Sequence, residues 1–313
     1  MTIQPFQRCS GLFPVWRAAP TGAADGTGHR GKSRPRPGFA LVELLAVMAI
    51  IGTLSGLLLT AVSRVREAAR KVQCSNNLKQ MGLGVGSYES SRRSFPPGSD
   101  QIPSPPLAPT GTEHAWSSFL LPQIEEQSLA ATIDYKAPWN APGRNAAAAD
   151  IIIPIYVCPS GVLSFKGKQD YGGISGTFIV PTGRRVPLPD ALSCGTIVSV
   201  TKAGQWGIRP AEVIDGLSST LLIGEAVDRA IHPGLKFDGP DHVSWAWGAN
   251  RITQNTTFIN NPFEPSIRSH HIGGAFAAFA DGHCAFLDGL MDPDVLFAVC
   301  TRNGGESNAP GGN

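Results

Sequence analysis

Residues 39–62 read FALVELLAVMAIIGTLSGLLLTAV, and Glu43 is the single charge among those 24 positions. As an α-helix rising about 1.5 Å per residue the stretch is about 36 Å long, enough to cross a hydrocarbon core of about 30 Å. It is longer than the apolar region of an ordinary secretory signal, about 7–15 residues, and the small-x-small site at its end, Leu59-Thr60-Ala61, is poor. The reading is a chain anchored once, by a transmembrane segment at 39–62, with most of its length beyond the membrane.

Working outward, the chain of 313 residues is 42% hydrophobic and 16% charged, enough apolar content for a core and too much for wholesale disorder. Its formal charge of +2 does not suit a nucleic-acid binder. That average hides an asymmetry. Residues 1–38 hold six basic residues (Arg8, Arg17, Arg30, Lys32, Arg34, Arg36) against Asp25, so the remainder carries 20 basic and 23 acidic residues, a balance of −3. The basic front argues that the helix start is cytoplasmic, although Arg64, Arg66, Arg70 and Lys71 flank the other end. Long domains are translocated largely regardless of flanking charge, which places the bulk of the chain outside the cytoplasmic membrane.

An ionised side chain inside a spanning helix costs a few kcal/mol at its centre and less near its end, and such a group usually has a partner. Glu43, one turn in, can rest in the headgroup layer, where the helix N-terminus favours an anion. The surrounding residues suggest more. Gly38-Phe39-Ala40-Leu41-Val42-Glu43, preceded by basic residues and followed by the apolar run, resembles the signal of bacterial type IV prepilins and type II secretion pseudopilins. The resemblance implies cleavage by prepilin peptidase between Gly38 and Phe39, N-methylation of Phe39, and pairing of Glu43 with the new amine of a neighbouring subunit. Ala40 stands where that family usually has Thr, and Thr60 where it often has Pro. Gly52 and Gly56 form a GxxxG spacing that lets another helix approach closely, though small residues are common in membrane helices.

The helical pattern continues past the membrane: Val65, Ala68, Val72, Leu78, Met81 and Val85 recur at three- or four-residue steps or their multiples among charged residues, predicting an amphipathic continuation packed on a head. Gly82, Gly84 and Gly86 weaken its last turns and predict fraying there. Phe95-Pro96-Pro97-Gly98 ends it, and six prolines between 96 and 110 predict an extended connection. Trp116–Ala131 predicts a short helix interrupted by Pro122. Strands are expected at Ile151–Val157, Tyr171–Val180, Thr196–Thr201, Thr220–Gly224 and Val243–Trp247. Gly274–Ala280, Asp281-Gly282 and His283–Leu287 predict a hairpin whose Asp-Gly turn needs positive φ. Asp292-Pro293 predicts a capped helix running to about Arg302.

Nearly the whole chain beyond residue 38 resembles one bacterial family, the prepilin-type proteins with a DUF1559 domain. The resemblance rests on Arg66-Glu67-Ala68-Ala69-Arg70, Cys74-Ser75-Asn76-Asn77-Leu78-Lys79-Gln80, Phe95-Pro96-Pro97-Gly98, Leu121-Pro122 with Glu125-Glu126-Gln127, Tyr156-Val157-Cys158-Pro159-Ser160, and Asp215-Gly216-Leu217-Ser218-Ser219-Thr220 leading to Gly224-Glu225. It closes on His271 followed after nine residues by Asp281-Gly282. A label attached to that family links it to solute-binding proteins. The implied fold is α+β and pilin-like: a long N-terminal helix, its first half transmembrane, packed on a β-rich antiparallel head. The implied organisation is a basic leader at 1–38, the long helix at 39–93 and an extracytoplasmic head at 94–313.

Candidate chemistry is sparse. His271 and Asp281 offer a metal or acid–base pair, but a seven-residue strand between them spans about 23 Å and sets them apart. Asp281 reads better as a turn former, and His271 as a hydrogen-bonding surface or cap residue. Asp288, Asp292 and Asp294 are candidate calcium ligands, yet capping explains two of them and no EF-hand spacing occurs. No other cofactor is expected. Glu225 reads as a structural or rim carboxylate, and Trp245 with Trp247 as core or sheet-surface residues on one strand face. Cys74, Cys158, Cys194, Cys284 and Cys300 follow the leader, an odd number, and their spacing gives no connectivity. No GxSxG elbow, Walker loop, HExxH signature or paired CxxC is present, so no enzyme is expected.

The sequence therefore predicts a pseudopilin-like single-pass protein of the bacterial inner membrane, cytoplasmic at its N-terminus before processing, with a periplasmic or cell-surface head. Prepilin peptidase, other pilin-like subunits, an assembly ATPase and its membrane platform are the expected partners. The alternative is a membrane-anchored solute- or polysaccharide-binding module exported by the same route. A hydrolase ranks third.

Overall fold

The computed structural model describes residues 41–99, 112–162, 165–177, 194–198, 206–228, 244–246, 251–254, 259–260 and 266–304. The chain divides into two compact units, 1–55 and 56–313. The described part of the first unit is helical and exposes Leu41, Leu44, Leu45, Met48, Ile51 and Leu54. This apolar surface belongs to the one helix among the described residues long and apolar enough to cross a membrane, and it fits a membrane anchor.

That helix, α1, runs over Leu41–Arg92. Within the second unit its later turns bury Cys74, Leu78, Met81, Val85 and Tyr88, spaced four, three, four and three residues apart. Such spacing keeps the side chains on one stripe of a 3.6-residue helix. The first four of them share a core with Trp116, Leu120, Leu121, Tyr156, Tyr171 and Ile223. Complete burial stabilises each of Leu78, Met81 and Val85 by about 1.5–3 kcal/mol. The head is therefore built partly from α1, and a division of the chain at 93/94 passes through this packed unit.

The glycines of α1 do not fray it; the helix continues regularly to Arg92. Gly82 and Gly84 are buried because other parts of the chain come close there. A Cβ at Gly82 would sit 3.4 Å from the carbonyl oxygen of Gly282, and one at Gly84 3.2 Å from Ile124 Cγ2. At Gly86 nothing lies within 4 Å. Gly82→Leu should therefore cost about 1–3 kcal/mol through overpacking, whereas Gly86→Ala should gain up to about 1 kcal/mol from helix propensity. Urea midpoints of the two variants should move in opposite directions; a shared direction would reject this account of Gly82.

Among the described residues the sheet has five strands: β1 (Tyr171–Thr177), β2 (Leu221–Glu225), β3 (Arg251–Gln254), β4 (Gly274–Phe279) and β5 (Cys284–Asp288), in the order β3-β1-β2-β4-β5. β1, β2, β4 and β5 pair antiparallel, and β3 adds a parallel edge beside β1. The pilin-like α+β class read from the sequence is the one observed. The β4–β5 hairpin also forms as expected, with Gly282 at φ 90° in its Asp-Gly turn. Asp292 caps the helix α5 (Pro293–Val299) by accepting the Asp294 amide, and the helix ends three residues short of Arg302.

Three expected strands differ. At Ile151–Val157, Pro154 starts a short 3₁₀ turn over Pro154–Tyr156, and Ile153 and Tyr156 are buried by that turn rather than by strand alternation. Residues 196–198 are bends and irregular backbone, with 199–201 outside the described residues. Ser244–Ala246 forms an isolated bridge and a turn; Val243 and Trp247 lie outside the described residues. Trp245 is nevertheless buried, and its indole N–H donates to Ile151 O at 2.8 Å. At Trp116–Ala131 the chain forms three short pieces, α2 (Trp116–Leu120), a 3₁₀ turn from Leu121 through Pro122 to Ile124, and α3 (Gln127–Ala130), and a further short helix, α4 (Arg144–Ala149), follows.

Candidate functional site

Glu67 and Cys74 lie seven residues apart on α1, so they share its head-facing stripe. Cys158 follows the Pro154–Tyr156 turn, with its amide donating to Asp170 Oδ2 at 2.9 Å. Glu225 ends β2, and its Oε2 accepts the Phe276 amide of β4 at 2.8 Å. His271 precedes β4, in a loop tied to α1 by Lys71, whose ammonium donates to Ile272 O at 2.9 Å and lies 4.6 Å from the centre of the Phe286 ring.

These elements bring four donors together. Cys74 Sγ, Cys158 Sγ, one Glu225 oxygen and one His271 nitrogen all lie within 4.8 Å of one another, and all four residues are buried. The two sulfurs are 2.8 Å apart. Cys158 Sγ is 3.9 Å from His271 Nε2 and 4.0 Å from Glu225 Oε1. His271 Nε2 is 3.5 Å from Glu225 Oε1, while its Nδ1 is 2.7 Å from Glu67 Oε1. Glu67 is in turn gripped by Arg70, at 2.6 Å from Nη2.

The electrostatics follow from this arrangement. Burial opposes a charged imidazole, but hydrogen bonds with Cys158, Glu225 and Glu67 outweigh it and raise His271 to about 10. Burial likewise opposes the charged Glu67 carboxylate, yet His271 and Arg70 hold it below its ordinary range. The hydrogen bond from Cys74 stabilises the Cys158 thiolate against burial, with help from His271, and brings that thiol down to about 7. Cys74 moves the other way, because its neighbour Cys158 and burial both penalise a second charge. The cluster thus favours one thiolate beside an imidazolium, a donor set that a metal ion can organise by displacing protons.

A second buried network supports the Cys158 loop. Lys168 Nζ lies 2.8 Å from Asp228 Oδ1 and 3.2 Å from Asp170 Oδ2. Asp228 Oδ2 accepts the Val162 amide at 2.8 Å and meets His270 Nε2 at 2.8 Å. Burial raises Asp170 despite Lys168 and two amides, whereas for Asp228 the contacts with Lys168, Val162 and His270 overcome burial and lower it.

Placement of the residues singled out in the sequence is mixed. Gly38 and Phe39 lie outside the described residues. Glu43, Gly52 and Gly56 are on α1 and exposed, and a Cβ at either glycine would meet nothing within 4 Å. His271 is buried rather than a surface residue, and it is not brought to Asp281. Asp281 instead accepts the His283 amide at 3.0 Å and faces its ring at 2.6 Å, as a turn former. Gly282 sits against Gly82. Asp288 caps a turn by accepting the Leu290 amide at 2.8 Å, and Asp292 caps α5. Glu225 is fully buried, not a rim carboxylate. Sequence reasoning did not assign Glu67, Cys74 or Cys158 to a site; the seven-residue spacing of Glu67 and Cys74 on the apolar stripe was the signal available.

A model of the family described as protein of unknown function (DUF1559) matches residues 63–294. The chain belongs to the DUF1559 family. No curated protein and no solved structure matches it. The DUF1559 match begins on α1 before Glu67 and ends at the start of α5, so every residue of the buried cluster falls inside it. Five of the short motifs that carried the resemblance, separated in sequence, each supply one residue here: Cys74, Cys158, Glu225 and His271 of the cluster, and Glu67 beside it. The DUF1559 head is thus organised around a junction between α1, the sheet and two loops.

Proposed function

We propose that the protein is a pseudopilin- or type IV pilin-like subunit, anchored in the bacterial cytoplasmic membrane and displaying its DUF1559 head outside the cytoplasm. What supports this most is α1: its apolar part is exposed along Leu41–Leu59, and its later turns are core of the head. Helix-to-helix assembly would therefore carry the head with it. In this reading prepilin peptidase cuts between Gly38 and Phe39, Phe39 is N-methylated, and Glu43 meets the new amine of a neighbouring subunit. An isolated carboxylate in the bilayer is costly, which gives that pairing its driving force. The work is assembly and display rather than catalysis.

Mass spectrometry of the N-terminus tests processing: the mature chain should start at N-methylated Phe39, and mature protein retaining residues 1–38 would reject the proposal. Glu43→Ala should then lower incorporation into filaments without lowering membrane insertion. Unchanged incorporation would reject the pairing role of Glu43.

A further inference from the structure

We infer that Cys74, Cys158, Glu225 and His271 form a closed structural site for a divalent transition-metal ion of the zinc class, clasping α1 to the head. The donor set comprises two sulfurs, one imidazole nitrogen and one carboxylate oxygen, a mixture that suits zinc; calcium and magnesium take oxygen ligands. Each donor is already aimed. His271 directs Nε2 to the cluster because Glu67 occupies Nδ1, the carboxylate–histidine arrangement that orients metal-bound imidazoles. Glu225 directs Oε1 there because the Phe276 amide holds Oε2.

Spacing fits as well. With zinc–sulfur bonds of about 2.3 Å and zinc–nitrogen bonds of about 2.0 Å, a tetrahedral centre sets its ligands about 3.3–3.8 Å apart. The distances of 3.5, 3.9 and 4.0 Å among His271, Glu225 and Cys158 are close to this. The sulfurs, at 2.8 Å, must separate by about 1 Å to take up the metal. From a state with one thiolate and an imidazolium, binding would displace the remaining thiol proton and the imidazolium proton on Nε2 to solvent. All four ligands are at most 2% exposed, so the site offers no open position for substrate and is structural rather than catalytic. The competing state, a Cys74–Cys158 disulfide, uses only the two sulfurs and leaves His271 bridging Glu67 and Glu225 as a buried ion-pair link, so the redox state of the two thiols separates the two outcomes.

The test uses the full chain in detergent, purified without chelator and then stripped and titrated with Zn²⁺ or Co²⁺. One equivalent should bind, and the cobalt form should show thiolate-to-cobalt charge transfer with tetrahedral ligand-field bands. Cys158→Ser should abolish that signature, and Cys284→Ser, a thiol outside the cluster, should leave it intact. Glu67→Ala should weaken zinc affinity about 10–100-fold while keeping the thiolate bands, as expected for a residue that positions His271. Free thiols with no metal uptake at saturating zinc would overturn the inference. So would a mass two hydrogens lower, with Cys74 and Cys158 found in one linked peptide. Should Cys158→Ser fail to fold, the cobalt spectrum of the unaltered protein still decides.

Discussion

A chain beginning at Ser94 should fail to fold, whereas one beginning at Ser63 should unfold cooperatively. Truncation at Ser94 removes Cys74, Leu78, Met81 and Val85, all at most 1% exposed, together with Tyr88. Cutting a single buried Leu or Met back to Ala costs about 2–5 kcal/mol, and here several whole side chains leave the same core. The combined loss exceeds the total stability of about 5–15 kcal/mol available to a typical domain. It would also uncover Trp116, Leu120, Tyr156 and Tyr171, which share that core. Circular dichroism through a urea titration separates the cases: a sharp transition for the Ser63 chain and none for the Ser94 chain. A cooperative transition in both would show that the later turns of α1 are dispensable to the head.

Lys168→Met should lower the stability of the Ser63 chain or the full chain by about 3–5 kcal/mol, because removing one partner strands buried charge. Lys168 is 2% exposed and faces two carboxylates, of which Asp170 also holds the Cys158 amide and Asp228 the Val162 amide. The variant loses the cation while both acids stay fixed by backbone donors. With a urea slope of about 1–3 kcal/mol per molar, the midpoint should fall by at least about 1 M. Combining Lys168→Met with Asp228→Asn should recover part of the loss, since the amide keeps an acceptor for Val162 without the unpaired charge. Additive losses in the double variant would show that the two side chains are not energetically coupled.

The contrast between what could and could not be read in advance has a physical basis. The β4–β5 hairpin and the Asp292 cap were legible because a two-residue turn and an N-cap are local: the residues that decide them are neighbours. The apolar periodicity of α1 was legible for the same reason. Ile151–Val157 misled because a run of β-branched residues reads as a strand, whereas Pro154 fixes a tight turn there that buries Ile153 and Tyr156 and leaves Ile151 and Ile152 exposed. β3 was missed; it is a four-residue edge strand held by its pairing to β1. The buried cluster was invisible as a cluster because its members are joined only by the tertiary fold; Cys74 and Cys158 are 84 residues apart. Considering His271 with Asp281 looked along the hairpin, when the partners of His271 lie across it, on α1 and β2.

The segment from His271 to Gly282 touches α1 at both of its ends, at Glu67 and at Gly82. Those helix positions are 15 residues apart, about 22 Å, close to the reach of the strand that joins the two contacts. The six-residue strand β4, about 20 Å long, therefore works as a ruler cut to the helix. A pull along the axis of α1 would load both attachments together, in shear, instead of peeling one turn after another. An insertion of even two residues in β4 would keep its inward and outward faces yet lengthen the ruler beyond its fittings, so only one end could remain seated.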